Sequence, residues 1–127
     1  MYKLSLIVVL FFTINSFKTI SATTSKNTTY TVVSGHLEGA ESDGCNKWVI
    51  SNIAVYEPNC KVDKMMEFIF SDYYLEKYGD KCAIRGIYAN HFSTYEEAVV
   101  YRQKLIDENK EKGRETLLPD DFVIKCQ

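Results

Sequence analysis

The sequence predicts a small α+β sandwich of about four strands and two helices, with the helices laid against a sheet and disulfides as staples. Three observations carry that expectation. Strand-like and helix-like patterns follow one another in the order β, β, α, β, α, β. One helix, entered near Thr94, declares both of its ends. Four cysteines, Cys45, Cys60, Cys82 and Cys126, all lie beyond a leader of the secretion type.

Residues 1–22 have the layout of a signal peptide: Lys3 precedes an apolar run from Leu4 to Phe12, and the small pair Ser21-Ala22 follows. A permanent bilayer span needs roughly 20 apolar residues, so this run is too short, and no later stretch is longer. A cut after Ala22 is the working boundary, with a cut after Ser21 as the alternative. The mature chain is therefore expected to be secreted or periplasmic, with no transmembrane segment. It keeps 105 residues, enough for one domain with a modest core. Lys3 and Lys18 leave with the leader and no acid does, so 13 basic and 17 acidic side chains remain, a net charge of −4. Basic and acidic residues are interleaved, which argues against a nucleic-acid partner.

In an oxidising compartment the four cysteines read as two disulfides. There is no C-x-x-C pair and no histidine at ligand spacing, so neither a metal nor another cofactor is expected. Four cysteines allow three connectivities, and topology decides among them.

Residues 23–29 are polar and are expected to form a disordered tail, with the domain spanning 30–127. Asn27-Thr28-Thr29 is an N-glycosylation sequon, relevant only in a eukaryotic host. Residues 30–34 alternate as a strand, and residues 35–46, with Gly39, Asp43 and Gly44, read as a loop. Residues 47–56 are β-branched and aromatic, a central strand ended by Glu57-Pro58-Asn59. From 62 to 78, Val62, Met65, Met66, Ile69 and Tyr73 fit one helical face and Gly79 a terminator, while Phe68-Ile69-Phe70 also permits a strand.

Residues 83–90 form the next strand, with Ile84 and Tyr88 on one face and Gly86 as a bulge or close-approach site. Ser93 with Glu96, or Thr94 with Glu97, makes a capping box, so a helix starts near Thr94. Tyr95, Ala98, Val99, Arg102, Leu105 and Ile106 follow at 3.6-residue spacing, and Lys110, Lys112 and Gly113 suit its C-terminus. After a turn at Pro119-Asp120-Asp121, residues 122–126 read as a closing strand.

No nucleophile elbow, zinc-protease, P-loop or dinucleotide motif is present, and no catalytic residue is assigned. His36 and His91 both fall in predicted turns, where a general base and acid of a small hydrolase would be conceivable, but the acidic charge opposes a nuclease. Tyr74 and Tyr78 stand at i, i+4, a candidate strip for a protein partner, with ordinary packing as the plainer alternative.

The passage Ile84-Arg85-Gly86-Ile87-Tyr88-Ala89-Asn90-His91-Phe92-Ser93-Thr94-Tyr95-Glu96-Glu97-Ala98, continuing to Arg102-Gln103-Lys104-Leu105, resembles the second half of a SPOR domain, the peptidoglycan-binding module of bacterial envelope proteins. That family has a strand ending in glycine, any residue and Phe, then a Ser/Thr-capped helix with an early Ala. Asn90 stands in the glycine's place, and Asn is the best substitute at a positive-φ position. Residues 47–56, the first-half counterpart, lack the expected Gln and Gly. The resemblance implies a two-layer, ferredoxin-like sandwich that binds envelope glycan on its exposed sheet face, with Trp48, Tyr88 and His91 as candidate ligand-binding residues. Core packing is the commoner fate of large aromatics on strands such as Trp48 and Tyr88. A ferredoxin-like order favours Cys45 with Cys126 and Cys60 with Cys82, whereas an all-parallel order favours Cys45 with Cys82 and Cys60 with Cys126.

The expected function is a non-enzymatic secreted or periplasmic binding module for envelope glycan. The alternative is a protein-interaction module, an inhibitor or effector, that uses the tyrosine-rich helix; a His-dependent hydrolase ranks third.

Overall fold

The computed structural model describes residues 28–57, 60 and 62–126. The expected leader, the tail up to residue 27 and the Asn27 acceptor lie outside the described residues.

Strand β1, Thr29–Glu38, is the axis of the sheet. Period-2 alternation sends Thr31, Val33 and Leu37 to one face and Tyr30, Val32, Ser34 and His36 to the other. Strand β2, Lys47–Ile50, and strand β3, Ala54–Tyr56, follow one another antiparallel along one edge of β1. Helix α1, Met66–Tyr78, comes next, entered through a 3-10 turn at Asp63–Met65. Strand β4, Ala83–Phe92, then lies antiparallel along the other edge of β1. Helix α2, Tyr95–Glu111, leads to strand β5, Thr116–Leu117, which adds parallel to β2.

The mixed α+β class expected from the sequence is what the chain forms. The two-layer, ferredoxin-like detail is not. Met66, Phe70 and Tyr74 of α1 pack with Val33, Leu37 and Val49, whereas Ala98 of α2 packs with Val32 and Ile50. Neighbouring residues of β1 thus serve different helices, so α1 and α2 lie on opposite faces of the sheet. The crossover through α1 travels from β3 past β1 to β4, and the crossover through α2 returns from β4 to β5. Right-handed crossovers that run in opposite directions across a sheet use opposite faces.

Local chemistry explains the element ends. Thr94 accepts a hydrogen bond from Glu97 N at 3.2 Å and caps α2 as expected. Gly79, at φ 86°, donates its N–H to Leu75 O at 2.9 Å and ends α1. Gly86, at φ 57°, is the predicted bulge: the pairing of β1 with β4 shifts between Ser34 and His36.

Three sequence expectations are corrected. Residues 35–38 continue β1 instead of looping away, because Gly35 lets the Ile84 side chain approach (3.1 Å from an ideal Cβ) and Leu37 is buried in the core. The expected strand 47–56 is broken at Ser51–Ile53, where Ser51 Oγ accepts from Val33 N at 2.9 Å and Ser51 N donates to Val33 O at 2.8 Å. Residues 122–126 form no strand, because the Asn52 side-chain amide engages both main-chain groups of Phe122: Phe122 N donates to Asn52 Oδ1 at 2.9 Å and Asn52 Nδ2 donates to Phe122 O at 3.0 Å.

The disulfides join Cys45 to Cys82 and Cys60 to Cys126, with Cα separations of 5.6 and 5.1 Å. This is not the pairing a ferredoxin-like order favours. β2 and β4 flank a shared antiparallel neighbour, opening opposite Leu37 and Glu38 respectively, so their starts lie at the same end of β1. The bridges span 37 and 66 residues of sequence. Loop-closure entropy alone assigns roughly 4 kcal/mol to each.

Candidate functional site

On the α2 face the helix covers Val32 and Ile50 and leaves the sheet open towards His36. The register of β1 builds the floor of that opening. Ile50, Ser34 and Tyr88 form one cross-strand row, His36 lies between Trp48 and Arg85 in the next, and Asn90 is opposite Val32. Ser34 is small and sits between larger neighbours, so the row dips at its centre. Tyr101, Leu105, Glu108 and Asn109 of α2 form one wall, and Arg114 closes the end beside Trp48. The result is a groove of about 330 Å³.

Its polar groups are held in place. Asn90 Nδ2 donates to Tyr101 Oη at 2.7 Å, tying floor to wall. Burial, ahead of the neighbouring Glu108 carboxylate, pushes the Tyr101 phenol above its ordinary pKa, while the Asn90 contact pulls the other way. The Arg114 guanidinium lies 4.4 Å from the Trp48 ring centroid, and Arg114 Nη1 donates to Asn109 Oδ1 at 3.5 Å. Asn109 is itself buried; its Nδ2 donates to Thr116 Oγ1 at 3.2 Å and its carbonyl accepts from Arg114 N at 2.8 Å. Trp48 N donates to Glu115 O at 2.8 Å, which fastens the loop after α2 to β2.

Of the residues expected to bind a ligand, Trp48 and Tyr88 meet in this groove. Tyr88 is 69 % exposed, far from the core packing common for strand aromatics. Trp48 is half-buried, with Arg114 on its ring and the His36 ring 5.0 Å away. His91 is not part of the groove. It points to the α1 face, where its Nδ1 is 2.7 Å from Thr31 Oγ1 and 3.3 Å from Tyr56 Oη.

The two histidines therefore sit on opposite faces and cannot act as one acid–base pair. Thr31, the hydroxyl beside His91, is fully buried and out of a substrate's reach. Asn90 does not take the positive φ expected of it; β4 continues through it in regular pairing to Phe92.

Tyr74, expected in an interaction strip, is a core residue, 3 % exposed, and stacks on the more open Tyr78 at 5.1 Å. The exposed face of α1 instead carries Phe68 and Leu75, continued by Met65 of the preceding turn. Among the described residues, no group of three His, Cys, Asp or Glu side chains is placed to hold a metal ion. No helix among them is long and apolar enough to cross a membrane.

Sequence reasoning missed Ser34, Glu108, Asn109 and Arg114. Each looks like an ordinary polar residue of a strand, helix or loop, and only the return of the chain to β2 through β5 brings Arg114 to Trp48. Comparison with protein-family models, curated proteins and solved structures returned no match for this chain.

Proposed function

We propose that the chain is a non-enzymatic binding module, disulfide-stapled for a secreted or periplasmic setting, that takes a saccharide of envelope-glycan type in the groove on its α2 face. The observation that carries this reading is the open Tyr88 ring beside Trp48 and Tyr101, over a floor with a hydroxyl at Ser34 and an amide at Asn90. A pyranose presents an apolar C–H face and a rim of hydroxyls. Aromatic rings with polar neighbours suit both parts. The SPOR-like passage over residues 84–105 points to the same ligand class.

The test is capture by isolated peptidoglycan sacculi. Retention that is abolished in Tyr88→Ala but kept in His91→Ala supports the reading, and retention indifferent to Tyr88 contradicts it.

A second reading is favoured by the exposed apolar stripe of Met65, Phe68 and Leu75 on α1, with Phe68 at 70 % exposure. It makes the chain a protein-interaction module, and it predicts that Phe68→Ser removes partner capture while glycan binding is unchanged.

A further inference from the structure

We propose that the groove selects a saccharide unit bearing a carboxylate, with Arg114 as the group that recognises it. This rests on the saccharide reading above. Arg114 is held from two sides, by the Trp48 ring and by Asn109 Oδ1. It makes no ion pair among the described residues. The carboxylate that also lines the groove, Glu108, is paired with Lys104 at 3.9 Å, and Glu115, next to Arg114 in sequence, is paired with Lys47 at 3.7 Å. An exposed guanidinium steadied by these two contacts, without an ion pair and lining a groove with a hydroxyl and an amide on its floor, is placed to receive an oxyanion.

The planar fork of arginine matches the two oxygens of a carboxylate. A single such cation, in a chain whose overall charge is negative, suits an isolated monoanion better than a densely phosphorylated polymer. The hydroxyls of the same sugar unit then fall to Ser34 and Asn90, and its C–H face to Tyr88.

The experiment compares hyaluronan hexasaccharide, in which glucuronate alternates with N-acetylglucosamine, with its carboxyl methyl ester. Binding to the disulfide-intact chain is followed by calorimetry at low salt. The acid is expected to bind at least about tenfold more tightly than the ester, equivalent to about 1.4 kcal/mol. In Arg114→Gln the ratio is expected to fall to about one with ester affinity little changed, while Arg114→Lys keeps part of it because the charge remains. Circular dichroism of each variant verifies the fold. Equal affinity for acid and ester, or a ratio that survives Arg114→Gln, overturns the carboxylate inference and leaves the saccharide groove standing. Failure of both ligands to bind overturns this inference, while the groove reading is decided separately by the dependence of sacculus capture on Tyr88.

Discussion

The guanidinium of Arg114 rests 4.4 Å from the centre of the Trp48 ring, and the two residues reach each other only because β5 pairs parallel with β2. Trp48 is also the sole tryptophan of the chain, so its emission reports directly on the groove. Arg114→Ala uncovers the indole, and the expected outcome is a red-shifted emission maximum with a stability loss of about 1 kcal/mol. An unchanged spectrum would mean that the stack does not persist in solution.

Gly39 follows β1 where the first disulfide closes over it. A Cβ there would lie 2.7 Å from Cys45 Sγ, and the backbone has φ 153°. Gly39→Ala is therefore expected to cost at least about 2 kcal/mol, read as a lower denaturant midpoint. Gly44→Ala has open space around it and pays only for its positive φ, so it should cost less.

Asn52 acts as a one-residue substitute for a neighbouring strand. Asn52→Ala removes both hydrogen bonds to Phe122 and strands its N–H and C=O beside a buried ring. The expected loss is about 2–3 kcal/mol, with amide exchange accelerated across residues 121–125. Asn52→Asp keeps the acceptor and loses the donor, and should fall between.

Tyr73 and Lys77 of α1 hold the C-terminal segment through Asp121: the Tyr73 hydroxyl donates to Asp121 Oδ1, and Lys77 Nζ does so at 2.5 Å. The Lys77 and then the Tyr73 hydrogen bonds hold the Asp121 carboxyl below its ordinary range. Burial first, then the bond to Asp121, pushes the Tyr73 phenol up to about 12. The Asp121 bond raises Lys77 as well.

A depressed carboxylate contributes stability above its unfolded pKa of about 3.9, which is lost as pH falls through the folded value. The raised Tyr73 and Lys77 contribute below their unfolded values of about 10 and are lost as pH rises through the folded ones. The cluster thus loses its stabilising effect at both acidic and strongly alkaline pH. Denaturant midpoints measured against pH should show both losses reduced in Asp121→Asn.

Local chemistry made much of the fold legible. The Thr94 cap, the positive-φ Gly86 bulge and the Gly79 stop are each set by residues adjacent in sequence, and each lies where the pattern put it. The four cysteines announced two bridges, but their pairing depends on which strand starts share an end of β1. Hydrophobic periodicity could not separate a strand from the extended run at Phe122, since the deciding partner is the side chain of Asn52. Nor could it place the helices on separate faces, which follows from the directions of the two crossovers. Trp48 and Tyr88 were legible as large aromatics on strands. Arg114 was not, since a lone arginine after a helix cap carries no local mark.

The most direct test of the account follows Trp48 emission during titration of the intact chain with soluble peptidoglycan fragments. A saturable change is expected, lost in Tyr88→Ala and retained in His91→Ala, whose side chain lies on the other face of the sheet. A saturable change that persists in Tyr88→Ala, or no change at all up to millimolar fragments, would contradict it.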